Sequence, residues 1–336
     1  MLCVIYVSAL VAALLGADRL TARMIFAEPE RYRPTFQSFY HPAVSRKMQE
    51  IDRVKRVDVL FIGNSLTMLG VDPDSFDRSA AKAGRPLNSY NLAFPSVGVE
   101  FWPAFLERAY PGPWPRVVAL GVQPRDLNPA GAAITGPLLQ QFFTSEGWRT
   151  LSMSPANRRA EELLSRSLIL YGRRGDGLPA IARRLMGEEL AREDIRVVGS
   201  KGFGVFGRGF HRSSADLARG RAEHEVTAKR LPFEFTMAAQ RGLERLRALL
   251  RRHGTRLVLF TLPIFYDSEP EGNALTDREF VARTARFARV HSLTFLDAGH
   301  LFAARFGVQD FGDENHLDAG GARRFSRMLA QSLPTR

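Results

Sequence analysis

The stretch Val57-Asp58-Val59-Leu60-Phe61-Ile62-Gly63-Asn64-Ser65-Leu66-Thr67-Met68-Leu69-Gly70 decides how this chain is read. Its first six residues, VDVLFI, are mostly apolar with no alternation, the pattern of a strand buried on both faces. The chain then leaves through Gly63 into Asn64-Ser65 and turns toward a helix. A serine at the carboxyl end of such a strand stands where open α/β sheets bind ligands, its Oγ presented rather than buried. Gly63 permits the tight turn, and the Ser65 N–H can point into the site as an oxyanion donor. On this stretch alone the plainer reading, a serine that caps a helix, is the commoner one.

Working outward, similar short runs recur: Leu87 to Ala93, Arg116 to Val122, Arg256 to Leu262 and Leu293 to Asp297. Helical stretches lie between them, such as Phe235 to His253, with Leu243, Leu246, Leu249 and Leu250 at helical spacing and Gly254 as a stop. Strands alternating with helices predict an α/β domain, a three-layer α/β/α arrangement with a central parallel sheet of about five strands. The segment from about 130 to 231 breaks this rhythm. It is rich in Arg and Gly and contains no strong strand signal, so it reads as a helical insertion on the substrate side of a site, or as an oligomer contact or flap. Its GFGVFGRG stretch (202–209) matches a phosphate loop in composition only.

At the start of the chain, Leu2 to Ala17 is an uncharged apolar run. It is slightly short for a membrane span of ~20 residues. The expected division is therefore a membrane anchor or signal segment over 1–27, a Pro-rich tether over 28–55, and a catalytic domain over 56–334 that contains the insertion. An uncleaved N-terminal apolar helix is the expected anchor, and the expectation that the rest of the chain faces the periplasm or the extracellular side rests mainly on the family resemblance described below, not on this run. Arg19 and Arg23 just after the run point the other way under the positive-inside rule, and a buried terminal helix is the plainer alternative.

Composition narrows the chemistry. Of 336 residues, 45% are hydrophobic, enough for a sizeable core, which excludes a fully disordered chain. Cys3 is the one cysteine, so there is no internal disulfide and no Cys/His cluster for zinc; neither metal nor cofactor is expected. The net charge of +12 comes mostly from Arg, spread along the chain without a helix-turn-helix, RNP-like or zinc-finger pattern. No nucleic-acid partner is expected, and an anionic cell-surface polymer or membrane surface accounts for the charge equally well.

Far downstream stands Asp313-Glu314-Asn315-His316-Leu317-Asp318-Ala319-Gly320-Gly321. Asp313 and His316 are three apart, a spacing that lets the carboxylate orient Nδ1 of the imidazole while Nε2 stays available to a serine hydroxyl. The plainer reading is an acidic turn with Asp318 capping a helix from Ala319 to Gln331, and both can hold together. His253, His291 and His300 have no ligand-spaced partner and read as structural or exposed. Arg125 and Asp126 read either as contacts to an acyl or sugar group or as an ion pair at a strand end.

Taken together, Gly63-Asn64-Ser65 after the first strand, Asn91-Leu92-Ala93 with Gly98 after the second, Gly121-Val122-Gln123 after the third and the Asp-x-x-His-Leu block at 313–317 resemble the SGNH superfamily of serine hydrolases, also called GDSL hydrolases. In particular they resemble its membrane-anchored bacterial branch of cell-envelope esterases and O-acyltransferases. The resemblance spans about Val57 to Val122 and Arg256 to the C-terminus, leaving the insertion uncovered. It implies Ser65 as nucleophile, His316 as general base and acid, Asp313 as the orienting carboxylate, and backbone N–H groups of Ser65 and Gly98 as oxyanion donors. Asn64 replaces the Asp of the GDS form, at a position that mainly holds the loop. The third block of the family carries Gly-x-Asn, whereas this chain has Gln123, which keeps a carboxamide donor but adds a methylene. Either the backbone at Pro124 compensates or Gln123 faces elsewhere. The implied activity is an acyl-ester hydrolase or O-acyltransferase acting on an acylated carbohydrate or other ester, with a membrane acyl-donor protein as a partner of the transferase form. The other reading is a non-catalytic envelope polysaccharide binding or assembly protein that kept the fold.

Overall fold

The structure, a computed structural model, describes residues 12–21, 47, 50–51, 54, 56–95, 97–110, 113–128, 195–198, 201–206, 233–264, 274–313 and 315–335. The chain divides into two compact units, one formed by Met1–Gln49 with Gln140–Asp194 and the other by Glu50–Leu139 with Ile195–Arg336. In the first unit residues 12–21 are helical. Most of the apolar run Leu2 to Ala17 and most of the tether fall outside the described residues, as does most of the insertion. Among the described residues no helix is long and apolar enough to cross a membrane.

The second unit is built on a five-stranded sheet of β1 (Val59–Ile62), β2 (Ser89–Asn91), β3 (Val117–Gly121), β6 (Arg256–Phe260) and β7 (Thr294–Leu296). These strands are the five apolar runs of the sequence, each two to four residues shorter than its run. All pairs are parallel, in the order β2-β1-β3-β6-β7. The helices between the strands are α1 (Ser65–Gly70), α2 (Pro73–Lys82), α3 (Phe101–Ala109), α4 (Pro124–Leu127), α5 (Met237–Arg252) and α6 (Ala274–Val290), and α7 (Ala298–Phe302) and α8 (Ala319–Ser332) follow β7. The β-branched and aromatic side chains of β1, β3 and β6 point alternately to the two faces. Val59, Phe61, Val117, Ala119, Val258 and Phe260 form one buried layer with Phe76 of α2 and Phe325 and Leu329 of α8. Helix α5 packs beside α3 and against β6. From β1 the chain steps to one side for β2 and to the other for β3, so the strand order reverses at β1, where a ligand crevice belongs in this architecture.

One expectation is corrected. The insertion contains an antiparallel hairpin, β4 (Ile195–Val198) and β5 (Phe203–Phe206), in register from Ile195 opposite Phe206 to Val198 opposite Phe203. Its glycines, read as loop composition, serve the turn and a close approach. Gly202 has φ +75, and a Cβ there would lie 2.2 Å from the Asn91 carbonyl. The Asn91 N–H donates to the Lys201 carbonyl at 2.9 Å, and Lys201 Nζ pairs with Asp77 of α2. The hairpin turn thereby covers the outer edge of β2, an edge that would otherwise offer unpaired backbone groups. On the other side of the turn, a Cβ at Gly204 would meet Met68 of α1 at 2.9 Å.

Candidate active site

Ser65 is the first residue of α1, and the cap is Asn64, not the serine: Asn64 Oδ1 accepts the Leu66 N–H at 2.9 Å. The cap leaves Ser65 free for other work, and as N1 its own N–H has no partner within the helix. At the far end of α1, Asn91 Nδ2 donates to the carbonyls of Thr67 (2.9 Å) and Val71 (2.7 Å), holding the short helix to the end of β2. Two glycines let it sit close to the sheet. A Cβ at Gly63, where φ is +143, would lie 2.4 Å from Thr67 Oγ1, and one at Gly121 only 2.0 Å from it.

The residues Asp313 and His316 sit in a loop closed on itself before α8. Phe311 and Leu317 form an antiparallel bridge, the Gly312 N–H donates to the His316 carbonyl at 2.9 Å, and the Asp318 N–H to the Asp310 carbonyl at 2.8 Å. Asp310, buried, also accepts from the Gly307 N–H and from Arg324 of α8. Asp318 caps α8 through the Gly321 N–H, as the sequence predicts. Within the loop Asp313 Oδ1 accepts the N–H groups of Asn315 (2.8 Å) and His316 (2.7 Å), and both carboxylate oxygens lie 2.9 Å from His316 Nδ1. His316 Nε2 lies 2.9 Å from Ser65 Oγ, 251 positions away in sequence. With Nδ1–H donating to the carboxylate, Nε2 is the acceptor and the serine hydroxyl donates to it. Burial alone would raise the Asp313 carboxyl, but the imidazole hydrogen bond and charge and the two backbone N–H groups outweigh it and hold it below the usual carboxylate value.

Gln123 follows β3 and is buried, and among the described residues its Nε2 has no hydrogen-bond partner. A buried amide N–H left without a partner costs about 1–3 kcal/mol, so it marks a place where a ligand acceptor would be welcome. Gly98 is buried after β2, its carbonyl accepting the Phe101 N–H as α3 begins. Arg125 is exposed on α4. Asp126 is buried; the charge of the neighbouring Arg125 favours its carboxylate, and its hydrogen bonds go to Asn64 and Gln123. Asn64 Nδ2 lies 2.9 Å from each of its oxygens, and the Gln123 N–H donates to Oδ2 at 3.0 Å. Sequence reasoning missed this bond across 62 positions. A local signal existed in Gln123-Pro124-Arg125-Asp126, an N-cap, a proline and an acid at the third helical position.

Three other histidines lie among the described residues and are structural or exposed as expected, but one of them has the spaced partner that the sequence reading denied it. His300 Nδ1 lies 2.8 Å from Asp297 Oδ1, so it does have a partner at three-residue spacing. His253 stacks on Trp114 at 4.0 Å, and His291 lies 3.6 Å from Glu244. Among the described residues no group of three His, Cys, Asp or Glu side chains is placed to hold a metal ion.

No family model matches the chain, and no curated protein matches it. Among solved structures it is similar to a lipase/acylhydrolase from Enterococcus faecalis, at 13% identity over 82% of this chain and 94% of that one, with a TM-score of 0.40. A GDSL-like lipase from Bacteroides thetaiotaomicron matches at 10% identity over 86% and 95%, with a TM-score of 0.36. An alpha/beta hydrolase enzyme from the metagenome of Lake Arreo, Spain, matches at 14% identity over 85% and 99%, with a TM-score of 0.38. At such distances the activities of those proteins are said of them alone.

Proposed function

We propose that this protein is a serine-dependent ester hydrolase or O-acyltransferase of the SGNH type, working through Ser65, His316 and Asp313. The observation that supports it is the unbroken chain of hydrogen bonds from the Asp313 carboxylate through both imidazole nitrogens to Ser65 Oγ. In this reading Ser65 Oγ attacks the ester carbonyl while His316 Nε2 takes its proton, and Asp313 stabilises the imidazolium that forms. The carbonyl oxygen becomes an oxyanion facing the N–H groups of Ser65 and Gly98 and the Nε2–H of Gln123. As the intermediate collapses, His316 returns the proton to the leaving alkoxide and the acyl group stays on Ser65. Water or a carbohydrate hydroxyl then gives its proton to His316 as it attacks the acyl-enzyme, and as the bond from the acyl carbon to Ser65 Oγ breaks, His316 returns that proton to the serine. Hydrolase and transferase differ only in that acceptor.

The proposed setting is the cell envelope, the chain held to the membrane by its N-terminal apolar segment and facing the periplasm or exterior. There an O-acetylated polysaccharide is the proposed substrate, Arg125 a proposed contact to it, and a membrane acyl-donor protein the proposed partner of a transferase. The test is turnover of a p-nitrophenyl ester by wild type and Ser65→Ala. Activity lost in the variant supports the proposal. A wild type with no turnover favours the reading as a non-catalytic polysaccharide binding or assembly protein.

A further inference from the structure

The end of β1 and the end of β3 each carry part of the proposed chemistry, Ser65 on one and Gln123 on the other, and their side chains must be in register for attack and oxyanion capture to occur together. A single carboxylate ties the two ends. We propose that Asp126 is a positioning residue, holding Ser65 in place through Asn64 and Gln123 in place through its backbone N–H; the inference rests on the reading of Ser65 as nucleophile.

Three features carry it. Asn64 has no slack: its Oδ1 accepts from Leu66 N at 2.9 Å, so its Nδ2 is committed to Asp126, at 2.9 Å from each oxygen. Rotation of that amide would break the helix cap and the inter-strand bond at once. Gln123 is tied by its backbone to Asp126 Oδ2 at 3.0 Å, which sets where its buried, unpartnered Nε2 can point. Asp126 itself is buried, and both of its partners are donors, so the carboxylate fits them only when ionised; a proton on it would face an N–H.

That last point makes the tie sensitive to pH. Burial pushes the Asp126 carboxyl up to about 6; the neighbouring Arg125 and the bonds from Asn64 and Gln123 pull it down, and Glu100 at the start of α3 adds to the rise. Helices α5 and α6 pack against α4, and the buried side chains they contribute among the described residues are uncharged. Arg125 and Glu100 are thus the charged groups that set it. Below about pH 6 the carboxyl gains a proton in the folded protein, and the Asn64 and Gln123 bonds weaken together.

The experiment compares wild type, Asp126→Asn, Asn64→Asp and the double exchange Asn64→Asp/Asp126→Asn. It reads kcat and KM on p-nitrophenyl acetate, and follows the Asn64 side-chain amide and the Ser65 and Leu66 N–H signals by NMR from pH 4 to pH 8. Each single change is expected to lower kcat about 10²-fold with little change in KM, since it misplaces reacting groups without touching the substrate. The double exchange reverses the bond between residues 64 and 126 and keeps the other two, as residue 64 accepts from Leu66 N and from the amide at 126, whose oxygen accepts from Gln123 N. It is expected to recover most of the loss. In the wild type the Asn64 amide should titrate near pH 6, and in Asp126→Asn it should not. Singles that keep wild-type kcat, a double exchange no better than the singles, or an Asn64 signal indifferent to Asp126 would each overturn the inference. If the wild type is inert toward esters, the reading of Ser65 fails, and the amide titration decides separately whether Asp126 controls the turn. That wild-type titration also decides the matter should Asp126→Asn not fold.

Discussion

Two segments of this chain carry an aspartate and a histidine three residues apart, Asp297-Ala298-Gly299-His300 and Asp313-Glu314-Asn315-His316. In both the carboxylate meets Nδ1, at 2.8 Å and 2.9 Å. They differ in what lies beyond. Asp313 gathers two backbone N–H groups in a closed loop and aims His316 Nε2 at Ser65. Asp297 instead takes the Thr261 hydroxyl at 2.7 Å, and that hydroxyl accepts the Gly299 N–H at 2.8 Å, a fastening of β6 to the start of α7, while His300 stands 40% exposed. Spacing therefore orients an imidazole, and the fold decides whether the imidazole reaches a nucleophile.

The sharpest way to break this comparison is to delete each histidine. His316→Ala should lower kcat for p-nitrophenyl ester hydrolysis on the order of 10⁴-fold or more, because Ser65 loses its base. Equal losses from His300→Ala would place both pairs in the mechanism. Asp313→Asn should cost about 10² less than the loss of His316, since an ill-oriented imidazole still takes a proton. The same substitution sharpens the contrast in a second readout. The Asp313 carboxyl titrates lower in the folded chain than in the unfolded one, so its contribution to stability is whole above the unfolded value and is lost as pH falls through the folded value. Thermal melts should therefore show a shallower acid decline in Asp313→Asn than in wild type.

Gln123→Ala comes next, with an expected loss of ~10² to 10³ in kcat and little change in KM, as befits a donor used in the transition state. An unchanged kcat would mean that backbone N–H groups suffice. The smallest effect is expected from His300→Ala, within about two-fold of wild-type kcat, measured at the same pH.

How much of this was legible beforehand follows from the range of each interaction. The five strands were read within a few residues because strands buried on both faces are apolar throughout, a local property. Asp318 as a cap and Asp313 beside His316 were also local. The hairpin at 195–206 was not, because Gly202 and Gly204 are there to approach Asn91 and Met68, which the sequence places more than a hundred residues away. The same holds for Asn64 with Asp126, and the proximity of His316 to Ser65 was reached by resemblance, not by spacing.

The central claim is that Ser65 is activated by His316, and the rate of fluorophosphonate labelling with mass-spectrometric mapping tests it most directly, since the probe requires an activated serine and little substrate recognition. Wild type and His300→Ala should each take one adduct per chain, on Ser65, at similar rates, while His316→Ala should label far more slowly and Ser65→Ala not at all. Adducts that persist in Ser65→Ala, or a His316→Ala protein that labels as fast as wild type, would contradict it.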